Sequence, residues 1–455
     1  MDMKNINFND LEKDQIIELF LAKIEELKEE IRQLKAQNST NSSKPPSSDF
    51  KKNSDSILKN RGGAQKGHPA NQRKILDDSE VHKHVHLKSK RCPKCNSTDI
   101  LEKKVTIHQV CDLKKFGLEV TNYHIYTYKC TCCKNKFKKD LPKGVTRSPF
   151  GSSLQAVSVL LTGKFGLSKR QLCEVYKCLF SLHISVGAVS KIEARVTKKI
   201  RPIYEDLKDK VANSLETSYI DETSWRNCAK TCWAWVKSSK NYVFFEILGS
   251  RSRHAKNEFL GLKIHHPTVT DRYGVYSDLD CPHQYCLAHI KRNLVKESEA
   301  KGIRGAIGKT CIKYLQLVFE SWNQFKRGKI SWKMLQHLTD PPIRQLKDQL
   351  LQGAVHCSSN GNLSRFHMQL LSVYSKLWTF LRVENVDPTN NEAERSLRPL
   401  VLWRKKSFGT QSDSGMRFVE SMMTICGTLQ KQGKNILSFL LKIIESQGHT
   451  IELTI

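Results

Sequence analysis

The sequence lacks a long apolar segment. No stretch approaches the roughly 20 apolar residues that a membrane helix requires. Its first ten residues, MDMKNINFND, also lack the basic head and apolar body of a signal peptide. These absences argue against a membrane protein and against export. We therefore expect a cytoplasmic protein with no membrane partner. At 455 residues, the length predicts about three folding units.

Acidic residues are scarce relative to basic ones, with 45 Asp and Glu against 75 Lys and Arg. The resulting formal charge of +30 predicts a polyanionic partner. A membrane surface is the alternative. The basic residues are spread along the chain rather than gathered on one amphipathic helix, so the charge pattern favours nucleic acid.

Disulfides are not expected either, since 15 is an odd number of cysteines and the chain has no export signal. Two C-x-x-C pairs instead predict a structural zinc ion held by Cys92, Cys95, Cys130 and Cys133. The pairs are separated by segments that alternate like hairpin strands, which would return the second pair to the first. The alternatives are free-thiol turns, or Cys132 as ligand in place of Cys133.

Apolar residues near the N-terminus recur in heptads. One core position is occupied by Ile17, Ile24 and Ile31, and the other by Phe20, Leu27 and Leu34. Isoleucine at the first position with mainly leucine at the second favours a parallel two-stranded coiled coil, so we predict a homodimer. The alternative is an amphipathic helix that packs on its own domain.

The chain divides into five predicted regions. We predict a coiled-coil zipper, a basic flexible linker with the Gly-rich motif RGGAQKGHP, a zinc-binding module and a helical region with helix-turn-helix cadence. The fifth region contains three aromatic and β-branched segments, a helix and a fourth strand, which is typical of a ribonuclease-H-like sheet. In order, the regions span residues 11–38, 39–80, 81–145, 150–210 and 215–440, with a helical insertion over about 290–385. The fold class is therefore multidomain α/β.

Two further predictions concern individual helices. The cadence of LSKRQL followed by ISVGAV predicts a DNA-reading helix pair, and an ordinary helical hairpin is the alternative. A later helix is predicted to begin near Asn390, because asparagine is a good N-cap residue.

Three acidic segments carry the strongest indication of chemistry: YIDET at 219–223, TVTDRY at 268–273 and TNNEAER at 389–395. Carboxylates from separate segments can hold two divalent ions about 4 Å apart, as phosphodiester chemistry requires. Neighbours on a strand point to opposite faces, so only one of Asp221 and Glu222 can enter a given site. Glu392 and Glu394 are about 200° apart around a helix, so one is expected to face the metals and the other, Glu392, to face solvent or DNA.

These motifs resemble the transposases of bacterial insertion-sequence family sixty-six, which are DDE enzymes. The matching pieces are SKPPSSD, GGAQKGH, the paired cysteines, YIDETSWR, TDRYGVY, CLAHIKR and PTNNEAERSLRPLVLWRKKSFGTQSDSG. The resemblance implies that Asp221, Asp271 and Glu394 are the catalytic carboxylates and hold two magnesium ions. It also implies double-stranded DNA partners (terminal inverted repeats and target), accessory proteins encoded by the same element, and association with the bacterial nucleoid.

The chain departs from the family pattern in the second motif, where Arg272 follows the carboxylate in place of glycine. Such an arginine is expected to change DNA contact or lower activity. Cys286 and His289, with Cys281 and His283 before them, present a second metal site as one interpretation and a structural or DNA-end role as the other. A basic rim for DNA is predicted around the third carboxylate, formed by Arg395, Arg398, Arg404, Lys405 and Lys406. A solvated charged face is the alternative.

Three functions fit the sequence. The first is a transposase that cleaves element ends and joins the freed 3′ hydroxyls to target DNA. The second is a catalytically inactive or domesticated derivative that only binds DNA. The third is a ribonuclease-H-like nuclease that acts on hybrids or junctions. The intact carboxylates favour an enzyme.

Overall fold

A computed structural model describes residues 148–261, 264–356 and 361–446, with short pieces before them. Those pieces are residues 25, 28, 77–80, 118, 120–121, 127–129 and 136–138. The chain divides into two compact units, one of residues 50–121 and one of the remainder. The first contains a short 3-10 turn at Asp78–Glu80, and every other element below lies in the second. Within the described ranges, no helix is long and apolar enough to cross a membrane.

A small antiparallel hairpin is formed by β1 (Thr127–Lys129) and β2 (Lys136–Lys138). The two strands flank residues 130–135, where the second cysteine pair of the predicted zinc module is found. All four predicted zinc ligands, the Gly-rich motif and most of the predicted zipper lie outside the described residues. Within the zipper segment, Glu25 and Lys28 are helical and form an exposed ion pair of 2.7 Å.

The centre of the second unit is a five-stranded mixed sheet with strand order β5-β4-β3-β6-β7. The first three strands are antiparallel, and β6 and β7 then run parallel to β3. Their bounds are β3 Ser218–Asn227, β4 Lys230–Ser238, β5 Val243–Leu248, β6 Thr268–Thr270 and β7 His283–Tyr285. The three antiparallel strands, a helix and a parallel strand follow the predicted order.

The sheet is buried on both faces because apolar residues occupy both sides of its strands. In β4, Ala234 and Val236 enter the larger hydrophobic core, while Trp235 enters the smaller one on the opposite face. Side chains alternate between the faces of a strand, so this near-continuous apolar run requires cover on both sides.

Helices supply that cover. They are α1 (Ser152–Val159), α2 (Lys169–Phe180), α3 (Val186–Ala212), α4 (Arg253–Leu260), α5 (Leu287–Ser298), α6 (Gly302–Lys326), α7 (Trp332–His356), α8 (Gly361–Ser372), α9 (Asn391–Ser407), α10 (Asp413–Lys431) and α11 (Ile436–Glu445). A π-helical turn, Leu160–Lys164, continues α1. Helices α5 to α8 lie between β7 and α9, in the part of the chain where a helical insertion is expected.

The segment with helix-turn-helix cadence does form two helices, α2 and α3. Ser168 caps α2 with a complete capping box, and the Ser185 side chain accepts a hydrogen bond from Ala188 N at the start of α3. Apolar residues of α3, including Val189 and Ile200, belong to the same hydrophobic core as the sheet. The helical region and the sheet are therefore packed as one body.

Helix α10 covers the edge strand β5 with a row of side-chain acceptors. Glu420, Thr424 and Thr428 are one helical turn apart, and each accepts a hydrogen bond from a backbone N–H of β5. An exposed strand edge can pair with strands of other chains, and these three side chains protect the β5 edge from such pairing.

Candidate active site

Three neighbouring parallel strands bring chemistry to one edge of the sheet. The pairing of β3 with β6 aligns Tyr219 with Val269, and continuing it by two residues aligns Asp221 with Asp271. The β6–β7 pairing, continued by one residue, aligns Asp271 with Cys286, and Cys286 N donates to Thr270 O at 2.8 Å. Because adjacent strands are about 4.8 Å apart, Asp221, Asp271 and Cys286 form a row across the strands. We call the two acids of this row, together with the nearby Glu394, the carboxylate row.

Asp221 lies in a strongly negative environment. Burial, together with the neighbouring carboxylates of Glu222, Asp271 and Glu394, raises the pKa of Asp221 well above its usual range. Its Oδ1 atom accepts a hydrogen bond from Glu222 N at 2.9 Å, which opposes this shift. Carboxylates that repel one another in this way gain stability from a bound cation.

The second acidic residue of β3 has different partners. The carboxylate of Glu222 is fully buried, accepts a hydrogen bond from Arg251 Nε at 2.5 Å and another from the Tyr276 hydroxyl. The Arg251 guanidinium also lies over the ring of Tyr273, 3.8 Å from its centroid. Tyr273 N donates to Asp271 Oδ1 at 2.9 Å. Glu222 therefore holds Arg251 against Tyr273, the residue whose N–H bonds Asp271.

Helix α9 supplies the third acidic motif at its first turn. It begins after Asn390, as predicted, but the Asn390 side chain does not cap the helix. Its Nδ2 atom instead donates to Ile220 O at 2.7 Å, and its backbone N–H donates to Cys286 Sγ at 3.1 Å. Asn390 is fully buried, and its two hydrogen bonds attach the start of α9 to Ile220 of β3 and to Cys286, directly after β7.

The two glutamates of α9 are separated as the helical period predicts. Glu394 faces the strand edge, where its Oε1 atom lies 3.8 Å from His289 Nε2 and 3.7 Å from an Arg292 guanidinium nitrogen. Glu392 was expected to face solvent or DNA. It is instead half-buried, bonded to Lys431 and, at 2.7 Å, to Arg395, and these cations lower its pKa against the opposing effect of burial.

The C-x-x-H pair joins this site, whereas the preceding Cys281 and His283 do not. Ligand atoms of Cys286, His289 and Glu394 lie within 4.8 Å of one another, the only such grouping within the described parts of the chain. Burial lowers the pKa of His283 to about 3, and its Nε2 atom lies 2.8 Å from the Thr270 hydroxyl. His283 is thus a neutral core residue.

The basic residues predicted to contact DNA have two different environments. Arg395, Arg398, Lys405 and Lys406 are exposed on α9. Arg404 turns inward and donates to the Ser224 hydroxyl at 2.7 Å and the Thr223 hydroxyl at 3.1 Å, which ties the end of α9 to β3.

Arg272, which departs from the expected motif, points toward the helical insertion. Its guanidinium lies 5.4 Å from the ring centroid of Phe366 on α8. Sequence reasoning assigned Arg272 to DNA contact or reduced activity, and this packing gives it a structural partner.

A cavity of about 940 Å³ lies away from this site, between α3 and the start of α10. Three of the cations that line it form ion pairs within the protein: Lys169 with Glu193, Arg201 with Glu205 and Glu420, and Arg417 with Glu420. None of the three predicted catalytic carboxylates lines this cavity.

Sequence reasoning gave no role to Arg251, Tyr276 or Arg292. Tyr276 and Arg292 are the last residues of the motifs TDRYGVY and CLAHIKR, which was a usable signal, whereas Arg251 lies in none of the quoted motifs. Their contacts with Glu222 or Glu394 join separate elements, so they required the structure. Asn390 was recognised only as a helix start, although its position four residues before Glu394 was a usable signal for a positioning role.

Comparison with protein families identifies the family to which this chain belongs. The profile described as Transposase IS66 family matches residues 147–418, more than half of the chain and all three acidic motifs. A family of unknown function matches residues 2–74. A search of curated proteins gave no match. By the extent of the first match, the chain belongs to the transposase IS66 family.

Proposed function

We propose that this transposase binds element ends and catalyses metal-dependent phosphodiester hydrolysis followed by strand transfer, with Asp221, Asp271 and Glu394 as its catalytic carboxylates. The observation that carries the proposal is the register that aligns Asp221 with Asp271, at a place where burial and the carboxylates of Glu222, Asp271 and Glu394 raise the pKa of Asp221. Neighbouring carboxylates raise the free energy of the folded chain when no cation is bound, so this site suits chemistry that uses bound cations.

The strand order supports a ribonuclease-H-like catalytic core. Three antiparallel strands are followed by two strands parallel to the first, and Asp271, directly after β6, is aligned with Asp221 within β3. Ligands in such sheets bind at the carboxyl ends of parallel strands. A helical insertion then separates the second carboxylate from the third.

The donor set fits two magnesium ions, because magnesium prefers hard oxygen ligands such as carboxylates. Asp221, Asp271 and Glu394 would hold them. When bound, the ions would stabilise negative charge on the attacking and leaving oxygens. Within the chain, Asn390 positions Glu394, and the Tyr273 N–H orients the Asp271 carboxylate.

The exposed face of α9 is proposed to bind DNA next to the carboxylates. Arg395, Arg398 and Lys405 follow a spacing of three and seven residues, so they lie on one face of the helix. Each cation that neutralises a phosphate releases counterions, so this face would make binding dependent on salt. Lys406 borders the same face.

Two N-terminal modules complete the proposal. The zipper over residues 11–38 makes a homodimer that holds two element ends, and Cys92, Cys95, Cys130 and Cys133 hold one structural zinc ion. Light scattering of a chain without residues 1–40 tests the first, since an unchanged dimer mass would remove the zipper from that role. Zinc analysis of Cys92→Ser with Cys130→Ser tests the second, and full zinc content would refute it.

Cleavage of DNA that carries the element's terminal inverted repeats tests the activity. We expect magnesium-dependent nicking at the repeat ends by the full-length protein, and no preference for an RNA–DNA hybrid. Specific binding without nicking would identify the inactive derivative. Preferred cleavage of the hybrid would identify the nuclease.

A further inference from the structure

The side chains next to Glu394 differ in kind from the other carboxylates. Cys286 lies between β7 and α5, and His289 occupies the first turn of α5, one turn further on. Residues three apart share one face of a helix, so both side chains face the first turn of α9. There, ligand atoms of Cys286, His289 and Glu394 lie within 4.8 Å of one another.

The backbone holds these groups in place. Leu287 N donates to Pro388 O at 2.9 Å, and Asn390 N donates to Cys286 Sγ at 3.1 Å, so the starts of α5 and α9 are bonded together. These bonds hold the Cys286 sulfur at the first turn of α9, beside Glu394.

His289 has an unused ring nitrogen. Its Nδ1 atom is buried and has no hydrogen-bond partner among the described residues, while Nε2 lies 3.8 Å from Glu394 Oε1. Buried polar atoms without a partner are uncommon and require an explanation. A metal ion bound to the imidazole would turn the ring and so change the partners of both ring nitrogens.

We propose that Cys286, His289 and Glu394 form a binding site for a zinc-like divalent cation. One sulfur, one nitrogen and one oxygen donor suit zinc, which accepts all three, whereas magnesium prefers oxygen alone. Three protein ligands leave a fourth tetrahedral position open. The site shares Glu394 with the proposed catalytic carboxylates, so zinc bound here would compete with magnesium for that residue.

Metal content of the full-length protein tests the proposal. The protein is loaded with zinc, desalted and analysed beside Cys286→Ser, His289→Ala and Glu394→Gln. Any zinc in the N-terminal cysteine module is common to all of them, so the difference isolates this site. We expect the unmodified protein to hold about one more equivalent than each variant. Circular dichroism establishes that each variant is folded.

Cys281→Ser is the matched control, because Cys281 lies five residues before Cys286 but outside the group. It should keep the additional equivalent. Cobalt in place of zinc gives a second readout, since a thiolate ligand adds a charge-transfer absorption that Cys286→Ser should reduce and Cys281→Ser should not. Equal metal content in the unmodified protein and the His289 and Glu394 variants would overturn the proposal. Binding is measured without DNA, so its failure is distinguishable from failure of cleavage.

Discussion

Carboxylates at two places in this fold have opposite surroundings. On α10, Glu420 is fully buried, and its two oxygens accept hydrogen bonds from Arg201 at 2.7 Å, Arg417 at 2.8 Å and Ile247 N at 3.1 Å. In β3, just beyond the residues that pair with β6, Asp221 has one backbone donor and is surrounded by other carboxylates.

We use this difference to distinguish a structural acid from the acids proposed to be catalytic. A buried charge that is fully paired contributes to a fixed arrangement, and removing it leaves its partners uncompensated. A buried charge next to like charges destabilises the folded chain until a cation is bound. Stability and activity should therefore respond in opposite ways to substitution in the two groups.

The largest expected effect is on α9, where Glu394 and Glu392 are two residues apart. Glu394→Gln should reduce cleavage of terminal-repeat DNA by at least about a thousandfold, equal to about 4 kcal/mol of barrier, because it removes a proposed metal ligand. DNA binding should stay close to that of the unmodified protein.

Glu392→Gln is the matched control. It should retain cleavage, because Glu392 is bonded to Lys431 and Arg395 rather than to the carboxylate row. An inactive Glu392 variant together with an active Glu394 variant would show that the third carboxylate has been misassigned.

A large effect on stability is expected at Glu420. Glu420→Ala should lower the free energy of unfolding by about 3–5 kcal/mol, because Arg417 and the Ile247 N–H lose this buried acceptor and Arg201 keeps only Glu205. Thermal or denaturant unfolding measures this. A variant as stable as the unmodified protein would mean that the paired group is not structural.

Asn390 connects the two properties. Asn390→Ala should lower the free energy of unfolding by about 1–3 kcal/mol, because Ile220 O loses its donor in a buried position. Cleavage should fall more than DNA binding does, since Glu394 loses its fixed position. Equal losses of both would indicate a general folding defect instead.

The smallest effect concerns pH. The pKa of Glu392 is lowered in the folded chain, so its ion pairs stabilise the fold above the ordinary glutamate pKa of 4.5 and lose that contribution as pH falls through the folded value. Glu392→Gln should therefore cost up to about 1 kcal/mol at neutral pH and less in acid. A cost that is independent of pH would contradict the pairing.

Much of the sheet could be predicted from the sequence, because β3, β4 and β5 are rich in aromatic and β-branched residues and the helix and β6 follow in order. The separation of Glu392 from Glu394 followed from the helical period. The start of α9 was correct, although the Asn390 side chain serves a different purpose from the expected cap.

The remaining features depend on contacts between distant segments. Glu420 reaches β5 across more than 170 residues of sequence, and its i, i+4 spacing with Thr424 is common on any helix. The row formed by Asp221, Asp271 and Cys286 required the register of β6 with its neighbours. Local pattern does not determine such a register, since packing against both cores does.

The most direct test of the central claim is to measure cleavage, DNA binding and thermal unfolding on the same preparations of Asp221→Asn and Asp271→Asn. Each substitution keeps the side-chain shape and removes one charge from the carboxylate row. We expect both variants to bind terminal-repeat DNA, to be at least as stable as the unmodified protein without divalent cations, and to show no cleavage. Normal cleavage by either variant would contradict the assignment of these carboxylates.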